Sequence, residues 1–197
     1  MKVGIMGGTF DPIHMGHLLA AEAVKDVYKL DEVWFMPSHL PPHKQAAGAT
    51  GEQRLDMTKL ATRGYEDYST LDIEVARGGV SYTIDTIRLL LKEHPNTDFY
   101  FIIGADMVNY LPKWERIDEL AQLITFIGVG RPGFDLHLDD LPEFLQERVL
   151  HAEMPLVDIS STAIRRRLGN GKSVRFMVPD SVLQFIKRSG LYESKPR

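Results

Sequence analysis

The chain has 197 residues, 44% hydrophobic and 25% charged, with a net charge of −4 and no cysteine; this balance suits a folded α/β protein with a sizeable core. A pI near 6.0 gives no overall basic field for long nucleic acid, although a small anionic ligand held by local cations fits. The absence of cysteine excludes disulfides, thiolate catalysis and Cys-ligated metals and fits a reducing cytoplasm, and no apolar run approaches the ~18 residues of a membrane span.

Read from the N-terminus, residues 3–6 form a short apolar run and the first predicted strand. A helix is predicted over 17–29, with Ala20, Val24 and Val27 at helical spacing. Residues 33–36 give a second strand, and 40–51, rich in Pro, Gly and Ala, a mobile loop. A weaker helical pattern covers 53–63 through Leu55, Leu60 and Ala61. Residues 71–75 alternate apolar and polar and predict a half-exposed edge strand. Ile84, Ile87, Leu90 and Leu91 stripe a helix that ends before Pro95. Residues 99–103 are apolar throughout, as a central parallel strand requires. A short helix at 116–123, a buried strand at 124–129, an irregular stretch at 130–142 and a last short strand at 156–159 follow. Helices at 161–168, stopped by Gly169, and 181–188, stopped near Gly190, precede a frayed tail at 193–197. Strands alternating with helices predict a doubly wound parallel sheet with right-handed crossovers and a small helical portion at the C-terminus. No repeat or internal boundary divides the chain, so residues 1–197 read as one domain, its C-terminal helical part at about 160–192.

The chemistry concentrates where the first strand ends. GGTFDPIHMGH, residues 7–17, places Gly7, Gly8, Thr9 and Phe10 at that point, ahead of His14 and His17. In such a sheet, ligands bind outside the carboxyl ends of the strands near the point where strand order reverses. Glycines leave backbone amides unshielded there, and a helix starting near Gly16 aims its N-terminal N–H groups at the same place. Two histidines three apart share a face and can donate to phosphate oxygens; they could also ligate a metal, with only Asp11 close by as a third ligand and no HExxH pattern. A second cluster, ISSTAIRRRL at 159–168, carries an N-cap candidate in Ser160, and Ser161 and Arg165 share a helical face. Taken alone it is better explained by a solvated basic face and a plain Ser-Ser-Thr cap. Three further stretches bear on a second ligand: Gly104 and Asp106 after the central strand, with Asp106 able to accept from ribose hydroxyls; Tyr110 and Trp114, offering rings; and Thr83 at a helix start, whose amides suit a carboxylate. By composition alone, ordinary core or surface packing accounts for these better.

The run from Gly7 to His17 resembles the signature of the nucleotidylyltransferase superfamily, whose hallmark is an H-x-G-H turn, and ISSTAIR is similar to that superfamily's second signature. PPHK (41–44), SYTIDT (81–86), GADMVNYLPKW (104–114) and the closing GLYES (190–194) together resemble bacterial nicotinate-nucleotide adenylyltransferases, over residues 2–192. The resemblance implies a Rossmann-like fold. It also implies adenylyl transfer from ATP to nicotinate mononucleotide, giving deamido-NAD and pyrophosphate. It assigns His14, His17 and Arg165 to catalysis, and Gly7, Gly8, Thr9, Phe10, His14, His17, Gly104, Asp106, Ser161 and Arg165 to ATP. Thr83, Tyr110 and Trp114 fall to the nicotinate group, and Lys44 and Arg131 are cations near the phosphates. Mg²⁺ is implied as arriving on the ATP phosphates, with no metal site of the protein's own; no nucleic-acid or membrane partner is implied, and a homo-oligomer is left open.

Overall fold

The computed structural model describes residues 1–39, 48–130 and 138–193. Six strands, β1 (Lys2–Gly8), β2 (Glu32–Pro37), β3 (Tyr68–Thr70), β4 (Asp98–Gly104), β5 (Thr125–Gly130) and β6 (Val149–Glu153), pair in the order β3-β2-β1-β4-β5-β6. Every pairing is parallel. The order reverses between β1 and β4, so the carboxyl ends of these two strands, Gly7-Gly8 and Ile103-Gly104, flank the crevice where such sheets take ligands.

Side chains alternate between two cores, as the strand period of two requires. Val3, Ile5, Trp34, Met36, Phe99, Phe101 and Phe126 face one layer. There α4 (Thr83–Glu93) buries its Ile84, Ile87 and Leu90 stripe and α6 (Ile117–Leu123) buries Leu120. Met6, Val33, Phe35, Ile102 and Ile127 face the other layer, covered by α1 (Met15–Tyr28), α2 (Gly51–Thr62), α8 (Ser161–Gly169) and α9 (Asp180–Ser189). Three shorter helices, α3 (Ile73–Arg77), α5 (Ala105–Val108) and α7 (Glu143–Gln146), lie among these.

Two expectations fail, both at the sheet's edges. Residues 71–75 are not an edge strand. The edge strand is β3, which pairs with β2 only through Val33, Trp34 and Phe35, and the chain then turns into α3. Period-two alternation misleads here because Glu74, read as an outward residue, is buried and accepts a hydrogen bond from Thr86 Oγ1 at 2.9 Å; Gly78, at φ 70°, ends the turn. Residues 156–159 form no strand either. The last strand is β6, which uses up its ladder with β5 at Gly130↔Glu153, so residues 156–159 run past the end of β5 with no strand to join.

Candidate active site

The end of β1 is thinned by glycine, and the protein's own aromatic rings fill the space. A Cβ at Gly7 would lie 2.6 Å from the Phe101 ring, and one at Gly8 2.8 Å from the ring of Phe10. Phe10 holds a left-handed φ of 50° and is buried, its ring set edge-on to His17 at 5.0 Å. Left-handed backbone is costly for a bulky residue, so surrounding contacts must hold it. The peptide bond between Asp11 and Pro12 is cis.

His14 caps α1 and is buried; its ring stacks on that of His17, with centroids 3.7 Å apart. The middle glycine of the H-x-G-H turn gives this ring its place, since a Cβ at Gly16 would meet the His14 ring at 3.1 Å. His14 N–H donates to His17 Nδ1 at 3.2 Å. That nitrogen is therefore the acceptor, and a neutral His17 ring carries its proton on Nε2.

The second cluster reaches back to the same turn. Ser160 caps α8, its hydroxyl accepting from Ala163 N–H. Ser161 Oγ donates to Pro12 O at 2.9 Å, and Arg165 Nη1 donates to Asp11 O at 2.7 Å. Arg165 also stands 3.6 Å from the Asp11 carboxylate, which offsets part of its charge. Asp11 itself is buried and accepts from Gly48 N–H, Ala49 N–H and the Tyr192 hydroxyl, at 2.8, 3.0 and 2.7 Å. Burial, and then this carboxylate, push the Tyr192 phenol well above its ordinary range.

Around this turn the crevice opens as two lobes. One, of about 670 Å³, is lined by Phe10, His14, His17, Asp106, Ser161 and Arg165 and walled by Met154, Val157 and Ile159; the unpaired stretch after β6 thus serves as a wall. The other, of about 480 Å³, is lined by Ser81, Tyr82, Thr83, Trp114, Lys113 and Glu74. The lobes share Gly7, Gly8, Thr9, Ile103, Gly104 and Met107, so they meet over the ends of β1 and β4. Asp106 turns back so that its carboxylate occupies the space beside Gly104, where a Cβ would lie 2.5 Å from Oδ1. Trp114 stands edge-on to Phe101 and Phe126, at 5.7 and 6.1 Å, which fixes its plane. Thr83 is the first residue of α4, and its N-cap, Tyr82, makes no side-chain cap bond. Tyr110 is the exception among the described site residues: it is 53% exposed, lines neither lobe, and carries Lys113 Nζ over its ring. Lys44 and Arg131 lie outside the described residues. Among the described residues no three His, Cys, Asp or Glu side chains are grouped as a metal site needs.

Sequence reasoning missed two buried charges beside the lobes. Arg54, 1% exposed, donates to the carbonyls of Thr9, Ser38 and His39. Its signal was the four-residue spacing of Arg54, Thr58 and Thr62, a polar stripe on a buried face, which also explains why α2 reads as weakly amphipathic. Glu74 lines the same lobe as Thr83 and accepts from Thr86. Burial raises its carboxyl above the usual range, against the pull of Thr86, Ser81 and Arg77. Only the odd charge among apolar neighbours hinted at it.

Comparison with known proteins identifies the family. The family model described as cytidylyltransferase-like matches residues 5–167. A probable nicotinate-nucleotide adenylyltransferase of Geobacillus kaustophilus is 50% identical over 195 residues, 98% of this chain and 87% of the relative. One from Oceanobacillus iheyensis is 46% identical over 191 residues, 97% and 96% of the two chains. The solved Plasmodium falciparum nicotinic acid mononucleotide adenylyltransferase complexed with NaAD superposes with a TM-score of 0.80 over 97% of each chain, at 20% identity, a likeness of fold. The chain belongs to the cytidylyltransferase-like family and, within it, to the nicotinate-nucleotide adenylyltransferases.

Proposed function

We propose that this protein transfers the adenylyl group of ATP to nicotinate mononucleotide, giving deamido-NAD and pyrophosphate. The observation that carries this reading is the pair of lobes meeting over Gly7–Thr9 and Gly104. A dinucleotide-forming reaction needs two nucleotide-sized spaces whose phosphate ends touch. The lobe with His14, His17, Ser161 and Arg165 takes ATP; the lobe with Thr83 and Trp114 takes the mononucleotide, its pyridine ring on Trp114 and its carboxylate at the start of α4.

The nucleophile is a phosphate oxygen of the mononucleotide, already ionised at neutral pH, so no general base is required. That oxygen bonds to the α-phosphorus, the α–β P–O bond breaks, and its electron pair leaves with pyrophosphate. The protein's task is alignment and charge compensation. Two unit charges ~4 Å apart repel by about 4 kcal/mol at an effective dielectric near 20. His17 Nε2–H, the His14 ring, Arg165 and the N-terminus of α8 act against that repulsion. Mg²⁺ carried on the ATP phosphates would supply further charge neutralisation there. Lys44 and Arg131 are further cations for the phosphates. The pyridine is held by Trp114 and Thr83; Tyr110, exposed and outside both lobes, has a place only if its segment moves inward.

The test is pyrophosphate release from ATP with a panel of acceptors: nicotinate mononucleotide, nicotinamide mononucleotide and phosphopantetheine, with products identified by mass. Deamido-NAD should form with the highest kcat/KM. Release with phosphopantetheine alone, or with none of the three, would remove the reading.

A further inference from the structure

Arg54 is a fully buried guanidinium that lines neither lobe. Among the described residues it makes no salt bridge; its hydrogen bonds go to three backbone carbonyls, Nη1 to Thr9 O and to Ser38 O at 2.6 Å each and Nη2 to His39 O at 2.8 Å. Burial works against this charge, and the more distant Asp11 carboxylate offsets part of that cost; the carbonyls it gathers are not arbitrary. Thr9 and Ser38 come from the two turns that bound the meeting point of the lobes.

A trans peptide carries its C=O and N–H on opposite edges. A carbonyl turned onto Arg54 therefore sends the next residue's N–H the other way. For the Ser38–His39 peptide that N–H is used within the protein: His39 N–H donates to Ser81 Oγ, a lining residue of the acceptor lobe, at 3.1 Å. For the Thr9–Phe10 peptide the opposite N–H belongs to Phe10, which lines the nucleotide lobe, and among the described residues it has no acceptor. Phe10 is also the residue held at φ 50°, next to the Thr9 carbonyl that accepts from Arg54.

We propose that Arg54 is a positioning residue for the transferred phosphate: by gathering the Thr9, Ser38 and His39 carbonyls it keeps negative carbonyl oxygens out of the lobes and holds the Phe10 N–H aimed at the phosphate that changes hands. The proposal rests on the adenylyl-transfer reading and adds to it a donor that no side chain supplies. Lysine, with one compact ammonium, cannot span all three carbonyls, so Arg54→Lys lets the Thr9–Phe10 peptide relax.

In steady-state assays with ATP and nicotinate mononucleotide, Arg54→Lys should lower kcat about 100-fold, the cost of losing one preorganised donor, with each KM within about 3-fold of wild type. Phenyllactate introduced at position 10, which replaces that N–H by an ester oxygen and leaves Arg54 intact, should produce a loss of similar size even where the Arg54 variant folds poorly. The two changes combined should cost no more than either alone. A folded Arg54→Lys protein with kcat within about 3-fold of wild type, full activity of the phenyllactate protein, or additive losses would each overturn the proposal. A wild-type protein that forms no deamido-NAD would instead bring down the functional reading on which it stands.

Discussion

Replacing the His17 imidazole by a methyl group removes an Nε2 donor whose tautomer is set by the His14 amide. His17→Ala should therefore cut kcat by about 10²–10³-fold, the usual cost of one such donor, while circular dichroism stays that of the wild type. Trp114→Ala is predicted to act on binding. Its ring is fixed by Phe101 and Phe126, and stacked aromatics contribute about 1–3 kcal/mol per base, so KM for nicotinate mononucleotide should rise far more than KM for ATP. Equal rises would argue that Trp114 carries no ring. Glu74 yields a pH prediction. Burial raises its carboxyl in the folded protein, so the fold favours the protonated form; that contribution to stability is complete below the unfolded pKa and lost as pH rises through the folded one. Glu74→Gln is neutral throughout. The difference in Tm, variant minus wild type, should climb with pH across the mildly acidic range and then level off; a flat difference would mean that the Glu74 charge costs nothing. The histidine motif was legible at this scale because its residue types and spacing are rare. Arg54 and Glu74 were not, because their partners are carbonyls and hydroxyls from distant segments.

At the scale of elements, the site depends on how α8 is tied to the turn after β1. Ser161 and Arg165 lie about 150 residues beyond the turn, 149 and 154 from the carbonyls of Pro12 and Asp11 to which they donate. The sequence showed a helix with a cap and a shared Ser–Arg face, and the helix is where it was expected. It did not show that both side chains would spend hydrogen bonds on the turn itself, nor that Asp11 would gather amides from the far side of the 40–47 segment and the Tyr192 hydroxyl. Tyr192→Phe tests that junction. Losing one hydrogen bond to a buried carboxylate should cost about 1–3 kcal/mol, and a protein of this size should then melt about 2–4 °C lower for each kcal/mol. An unchanged Tm would show that the Asp11 junction does not need its phenol. The glycines carry a related lesson. The rings of Phe101, Phe10 and His14 stand where Cβ atoms would, while Gly7, Gly8 and Gly16 still line the lobes.

Across the whole molecule, the alternation of strand and helix was enough to predict a doubly wound parallel sheet, and the central strands β1, β2, β4 and β5 fall where their apolar runs put them. The edges were harder. A central strand is apolar on both faces, whereas β3 has three residues and β6 alternates amid charged neighbours, so neither stands out locally. The crevice follows from strand order rather than from any one segment: only when β4 lies beside β1 do Gly104 and Gly8 flank one space and the two lobes join. The proposed reaction requires these lobes to hold the two halves of one dinucleotide. A crystal structure with deamido-NAD bound is the direct test. Adenosine should lie between His17 and Asp106, pyridine on Trp114, and the pyrophosphate bridge over Gly8. A dinucleotide bound outside this crevice, or folded wholly into one lobe, would contradict it.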